Sequence, residues 1–192
     1  VFKYSCPNYN SPSGRIVGGP YLGKSYICEG WFKEGAPNVD PLVSSCYFAA
    51  DRRYNLPIIE KHLNIGEIVI MDRYVESNMA HQGGKLNTKK AREKMYKKLD
   101  ELEFGILELP RPDKVYFLHM PYEYSCKLKK NRSELPDENE RDQKHLQNAE
   151  KAYLELAKLY NFVTIDCIKD ESIRTIEKIN NDLFNEVEKY VR

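Results

Sequence analysis

Short apolar runs alternating with amphipathic segments of helix length constrain this chain most. Ile68 to Met71 of EIVIMDRY (residues 67–74), KVYFLHM (114–120) and FVTID (162–166) are the clearest apolar runs. Strands buried on both faces read this way. Val1 to Tyr4 is a further candidate strand at the start of the chain. Asp40 and Pro41 supply an N-cap and a first helical residue for VSSCYFAADRRYNLPIIEKHL. That helix should kink or break at Pro57 and end at Asn64-Ile65-Gly66. Asn87-Thr88 caps a helix running to about Leu102, and Pro121 starts another that reaches Lys130. Leu146, Ala149, Tyr153, Leu156 and Tyr160 share one helical face, and Ile173, Ile176, Leu183, Val187 and Tyr190 mark a closing helix. Strands separated by helices of this length predict an α/β fold, a mostly parallel sheet with helices on both faces. In such sheets ligands bind at the carboxyl ends of the strands.

The chain has 192 residues, enough for one well-cored domain. A formal net charge of +1 gives no overall field to recruit nucleic acid or an anionic membrane, so any anion site must be a local cluster of cations. No apolar run approaches the ~20 residues that cross a bilayer. Five scattered cysteines, odd in number and without a C-x-x-C, fit reduced thiols in a cytoplasmic protein better than a disulfide frame or zinc site.

GGPYLGKS, residues 18–25, matches the phosphate-loop pattern G-x-x-x-x-G-K-[ST] letter for letter. A working loop of this kind follows a buried strand and opens a helix, so that its amides and the helix dipole face the phosphates. Only Arg15-Ile16-Val17 precedes the match, and YICEGWFKEGAPN follows it without helical periodicity. The match therefore reads as coincidental. Ser11-Pro12 should instead start a short helix that breaks at Gly18-Gly19, with Lys24 solvated.

MDRYVESNMAHQGGK, residues 71–85, carries more chemistry. Asp72 ends an apolar strand and Arg73 follows it. A carboxylate there can hold Mg²⁺ and an arginine can fork onto a phosphate. Ser77, Asn78 and Gln82 follow within two helical turns. The competing reading is a buried Asp–Arg pair plus helix caps. Phe48 and Arg52 share a helix face at i, i+4, which suits an aromatic on a base beside an arginine on its phosphate. A core Phe with a packed surface Arg fits the same spacing.

DRYVESNMAHQGG resembles the D-R-Y-x-x-S-x-x-A-x-Q-G signature of the thymidylate kinases. CYFAADR (46–52) resembles their aromatic-then-arginine helix, and CPNYNSPSG (6–14) their F-P-x-Y-x-S-P-x-G segment. RPDKVYFLHMPYEYSCKLKKNR is similar to their strand-then-lid passage. The resemblance covers most of the chain in order. It implies a P-loop nucleotide kinase-like fold with a lid at about residues 129–145, and transfer of the γ-phosphoryl of ATP to dTMP with Mg²⁺. Phe48 would stack on thymine, Arg52 and Arg73 would hold the dTMP phosphate, and Asn78, His81 and Gln82 would lie near sugar and base. Asp72 would sit by the metal and the transferring phosphoryl. Lys129, Lys130 and Arg132 would meet charge developing on that group. Small-molecule nucleotides are the implied partners, with neither nucleic acid nor membrane, and a homodimer is the expected assembly.

Four departures qualify the resemblance. His81 stands where the family usually has Tyr, Asn8 falls near a usual arginine, and the lid's D-x-x-E reads DQKH at 142–145. The family's phosphate loop, on its first strand, has no counterpart. The expectation is a single kinase-like domain over residues 1–192 that lacks an N-terminal phosphate-binding segment, leaving a sheet gap of about 9–10 Å. Such a chain should keep dTMP-site residues but not turn over ATP. Another nucleotide or deoxynucleoside kinase, or a non-catalytic nucleotide-binding module, is the alternative.

Overall fold

The computed structural model of the chain describes residues 1–129 and 135–191. The described residues gather in two compact units, one of residues 1–111 and 135–153, the other of residues 112–129 and 154–191.

In the first unit, β1 (Phe2–Ser5) pairs in parallel with β2 (Val69–Asp72), in a register that sets Ser5 beside Asp72. Parallel pairing needs a crossover, and the chain between the two strands provides it. Ser11 caps α1 (Pro12–Ile16) by accepting the Gly14 amide. The expected break at Gly18-Gly19 does not occur. The chain continues as a π-helical turn, Val17–Tyr21, whose Val17 and Tyr21 are buried with Leu22, Ala36 and Val39. Tyr9, Phe32, Tyr47 and Phe48 pack around them. Burying this aromatic cluster outweighs the poor helix propensity of the two glycines.

The next helix, α2 (Pro41–Asn64), starts as its sequence predicts: the Asp40 carboxylate accepts the amides of Leu42 and Val43. It runs uninterrupted through Pro57. Proline removes one backbone bond there, and the buried Leu56 and Ile59 on either side hold the helix together by packing. After β2 come α3 (Val75–Gly83) and α4 (Lys89–Asp100), the latter capped by Thr88 and extended by a π-helical turn, Glu101–Ile106.

In the second unit, β3 (Tyr116–His119) pairs in parallel with β4 (Val163–Asp166), setting His119 beside Asp166. Helix α5 (Tyr122–Lys129) lies between them in sequence. A short antiparallel hairpin, β5 (Ile168–Lys169) and β6 (Ser172–Ile173), precedes α8 (Ile176–Val191). Ile173 thus belongs to a strand rather than to the closing helix. Two-residue strands carry too little periodicity to stand out in the sequence. Within the polar stretch expected as a lid, residues 135–145 carry α6 (Glu138–Arg141) and the start of α7 (Gln143–Leu159). Among the described residues the strands form three two-stranded sheets.

Candidate functional site

The paired carboxyl ends of β1 and β2 present Ser5, Asp72 and Arg73. The Ser5 hydroxyl donates to Asp72 Oδ2 at 3.2 Å, and Lys3 Nζ lies 3.9 Å from the same oxygen. Oδ1 takes part in neither contact, and the Asp72 side chain is 57% exposed. Arg73 is exposed, with φ at 63°, the left-handed region that side chains other than glycine rarely occupy. Holding it there costs about 1–3 kcal/mol, strain of a kind that collects at functional sites. The alternative of a buried Asp72–Arg73 pair is not what the structure contains. Burial raises the pKa of the Tyr9 and Tyr153 hydroxyls, and the nearby Arg73 charge works against that rise.

Helix α3 sorts the other candidates onto two faces. Asn78 and Gln82, at i, i+4, are buried. Asn78 Nδ2 donates to Glu103 Oε1 at 2.9 Å and to the Ser45 carbonyl at 3.3 Å. Glu103 also takes the Arg52 fork, Nη2 to Oε1 at 2.7 Å and Nε to Oε2 at 2.5 Å. Arg52 is therefore neither a surface residue nor wholly available to a ligand: only its Nη1 edge lies outside the Glu103 contact. Burial works against the Arg52 charge, and Glu103 more than offsets it, so its pKa is raised. The Asn78 Oδ1 and both Gln82 amide atoms are buried without a hydrogen-bond partner. Such atoms are rare in folded proteins and tend to mark sites that a ligand or water completes.

Ser77 and His81 occupy another face of α3. The Tyr153 hydroxyl donates to Ser77 Oγ at 2.8 Å, and His81 Nδ1 meets His145 Nε2 at 3.0 Å in a stacked pair. Burial pushes His145 down to about 4, with the Lys85 charge adding to the effect, so that ring is neutral at pH 7. One ring then donates to the other. His81 and the DQKH stretch, two of the four departures from the family pattern, are thus in contact.

Phe48 is half-buried and meets Tyr21 edge-on, with ring centroids 5.5 Å apart. Behind it, the buried Asp51 accepts from Asn8 N, Ser11 Oγ, Ser13 Oγ and Asn55 Nδ2, which ties the NYNSPSG segment to α2. Lys85 Nζ donates to the Ala36 and Val39 carbonyls at 2.9 Å each and to Ser44 Oγ at 3.0 Å. Burial lowers its pKa to about 8, against the pull of Asp40. Sequence reasoning missed Glu103, Asp51 and Lys85 as members of this network. Glu103 sits in the acidic run ELEFGILE and carries no pattern of its own. Asp51 adjoins Arg52 and Lys85 directly follows the DRYVESNMAHQGG stretch, so adjacency was the only signal.

GGPYLGKS forms no phosphate cradle. The amides of Leu22, Gly23 and Lys24 donate to the carbonyls of Val17, Gly19 and Gly18, at 3.0, 2.8 and 2.8 Å. Lys24 is also not solvated: it is 6% exposed, with Nζ 3.5 Å from Asp137 Oδ2 and 4.9 Å from the Tyr9 ring centroid. Lys129 ends α5, half-buried, in the second unit. Lys130 and Arg132 lie outside the described residues. Among the described residues no group of three or more His, Cys, Asp or Glu could hold a metal.

The family model for thymidylate kinase matches residues 33–178. The chain belongs to the thymidylate kinase family. It is 31% identical over 148 residues to the probable thymidylate kinase 1 of Saccharolobus solfataricus, a match covering 76% of this chain and 71% of that protein. The probable thymidylate kinase of Sulfurisphaera tokodaii is 30% identical over 67% of this chain and 60% of its own length. A solved thymidylate kinase from Candida albicans superposes with a TM-score of 0.68 at 20% identity, covering 98% of this chain and 79% of that one. At that identity the superposition speaks for the fold, the P-loop kinase arrangement of the family. The family match begins after GGPYLGKS, so membership owes nothing to that stretch.

Proposed function

We propose that this protein is a thymidylate kinase, which transfers the γ-phosphoryl of ATP to dTMP to give dTDP for dTTP synthesis. The observation that carries this reading, beside family membership, is the Asp72–Arg73 pair: both exposed, at the carboxyl end of a parallel strand, with Arg73 held in a strained backbone conformation.

In this reading Arg73 forks onto the dTMP phosphate. The Nη1 edge of Arg52 reinforces it, while Glu103 and Asn78 fix the rest of that guanidinium. Phe48 offers the thymine a ring already braced by Tyr21, and His81 lies toward the sugar. Gln82 would lie near the base, its fully buried amide without a hydrogen-bond partner in the chain. Asp72 fits Mg²⁺ by the chemistry of its donor, a hard and exposed carboxylate oxygen. Magnesium is commonly held by one or two carboxylates together with substrate phosphates, and would here neutralise charge between donor and acceptor. The remaining catalytic work is positioning and electrostatics. By the family resemblance, Lys129, Lys130 and Arg132 would supply cations for the transferring group. Five free cysteines support a reducing, cytoplasmic setting.

Calorimetry and a coupled kinase assay test the reading together. The chain should bind dTMP. Arg73→Gly should relieve the backbone strain, keep the stability or raise it by up to about 1 kcal/mol, and weaken dTMP binding at least about tenfold. Unchanged dTMP affinity in that variant would remove Arg73 from the site.

The assembly proposed is a homodimer through α2. Val43, Tyr54, Ile58 and Ile65 recur at helical spacing and are 46%, 58%, 43% and 69% exposed, an apolar stripe that a solvated helix face seldom keeps. Light scattering should give twice the chain mass, and Tyr54→Glu should halve it. A monomeric native protein would rule the stripe out as a dimer face.

A further inference from the structure

The carboxylate of Glu138 lies against the loop from Gly23 to Ala36. Glu138 Oε2 accepts the Ala36 amide at 2.6 Å, and the Glu138 amide donates to the Leu22 carbonyl at 3.0 Å. The other oxygen, Oε1, occupies space that a side chain at position 30 would need: a Cβ on Gly30 would lie 2.2 Å from it, and one on Gly23 2.8 Å. Next door, Lys24 Nζ faces Asp137 Oδ2 at 3.5 Å, with the two side chains 6% and 9% exposed. Two consecutive carboxylates are thus held by two devices of one loop. Asp137 and Glu140 also cap α6 reciprocally, which makes that turn a rigid unit. Four residues beyond α6, His145 rests on His81 of α3.

We propose that the Gly23–Ala36 loop is a latch for the Asp137–Glu138 pair, which holds the first turn of α7 and its His145 against the His81 face of α3 and thereby sets nucleotide affinity. The latch itself stands on geometry within the chain. Its coupling to affinity rests on the reading of α3 as part of the dTMP site.

The test is hydrogen–deuterium exchange on the full chain, followed by dTMP calorimetry. Glu138→Ala removes the occupant. Gly30→Ala evicts it from the other side, because the added methyl displaces a flexible carboxylate and needs no unusual backbone angle. Each variant should raise exchange at the Ala36 amide and over residues 137–146 by about tenfold, while α2 and α4 keep native protection. The double variant should be no worse than either single one, since both break the same contact. Glu138→Gln, which keeps shape and one acceptor but loses the charge, should fall between and stays informative if the alanine variant folds poorly. Unchanged Ala36 exchange in Glu138→Ala, or fully additive effects of the two changes, would overturn the latch. An opened latch with native dTMP affinity would overturn the coupling. A native protein that binds no dTMP would count against the proposed function and leave the exchange result standing.

Discussion

Replacing Glu103 with alanine should lower the unfolding free energy by about 3–5 kcal/mol, the usual cost of stranding one partner of a buried ion pair. Glu103 is fully buried and Arg52 is 3% exposed, so water cannot solvate the guanidinium left behind. Asn78 Nδ2 loses an acceptor at the same time. Glu103→Gln should cost less, because it preserves shape and one acceptor oxygen while giving up the charge. The joint replacement Arg52→Met with Glu103→Leu should recover most of the loss, since no charge is then buried. Urea denaturation of the four proteins measures all of this. A midpoint for Glu103→Ala close to that of the native chain would show that Arg52 finds another partner, and the α2–α3 network would then need redrawing. The joint variant should also bind dTMP poorly in spite of its stability, which separates the structural role of the pair from its role in the site.

Lys24→Met is the second large effect expected, a loss of about 3 kcal/mol. The ammonium lies beneath Tyr9 against Asp137, and its removal leaves a carboxylate that is 9% exposed without its cation. Adding Asp137→Asn should restore part of the loss, so that the double variant is more stable than the sum of the single changes implies. A lysine that served a triphosphate would behave otherwise. Its replacement would leave the stability of the ligand-free protein alone and show only in donor affinity. The denaturation cycle therefore decides between a clamp and a phosphate ligand at the residue that completes the phosphate-loop pattern.

Much of the local structure was legible. The caps at Ser11, Asp40 and Thr88, the long α2, and the strands ending in Asp72, His119 and Asp166 follow from nearest-neighbour chemistry that twenty or fewer residues contain. Pro57 misled because its local cost is real but smaller than the packing of Leu56 and Ile59 around it. Gly18-Gly19 misled for a similar reason, since the aromatic cluster that keeps Tyr21 buried is assembled from residues 9 to 48. Neither compensation is visible in a short window.

By itself, the sequence determined the α/β class, the order of its elements and the thymidylate kinase signature, because hydrophobic period, capping and strand-end residues act over short spans. Only the tertiary structure decided the partners of the charges. Glu103 meets Arg52 across 51 positions, His145 meets His81 across 64, and Glu138 reaches Ala36 across 102. Electrostatic partnerships depend on distance in space and on exclusion of water, and neither is encoded in spacing along the chain. That is why Lys24, expected from its neighbours in sequence to be solvated, proves in three dimensions to be the buried counter-ion of Asp137.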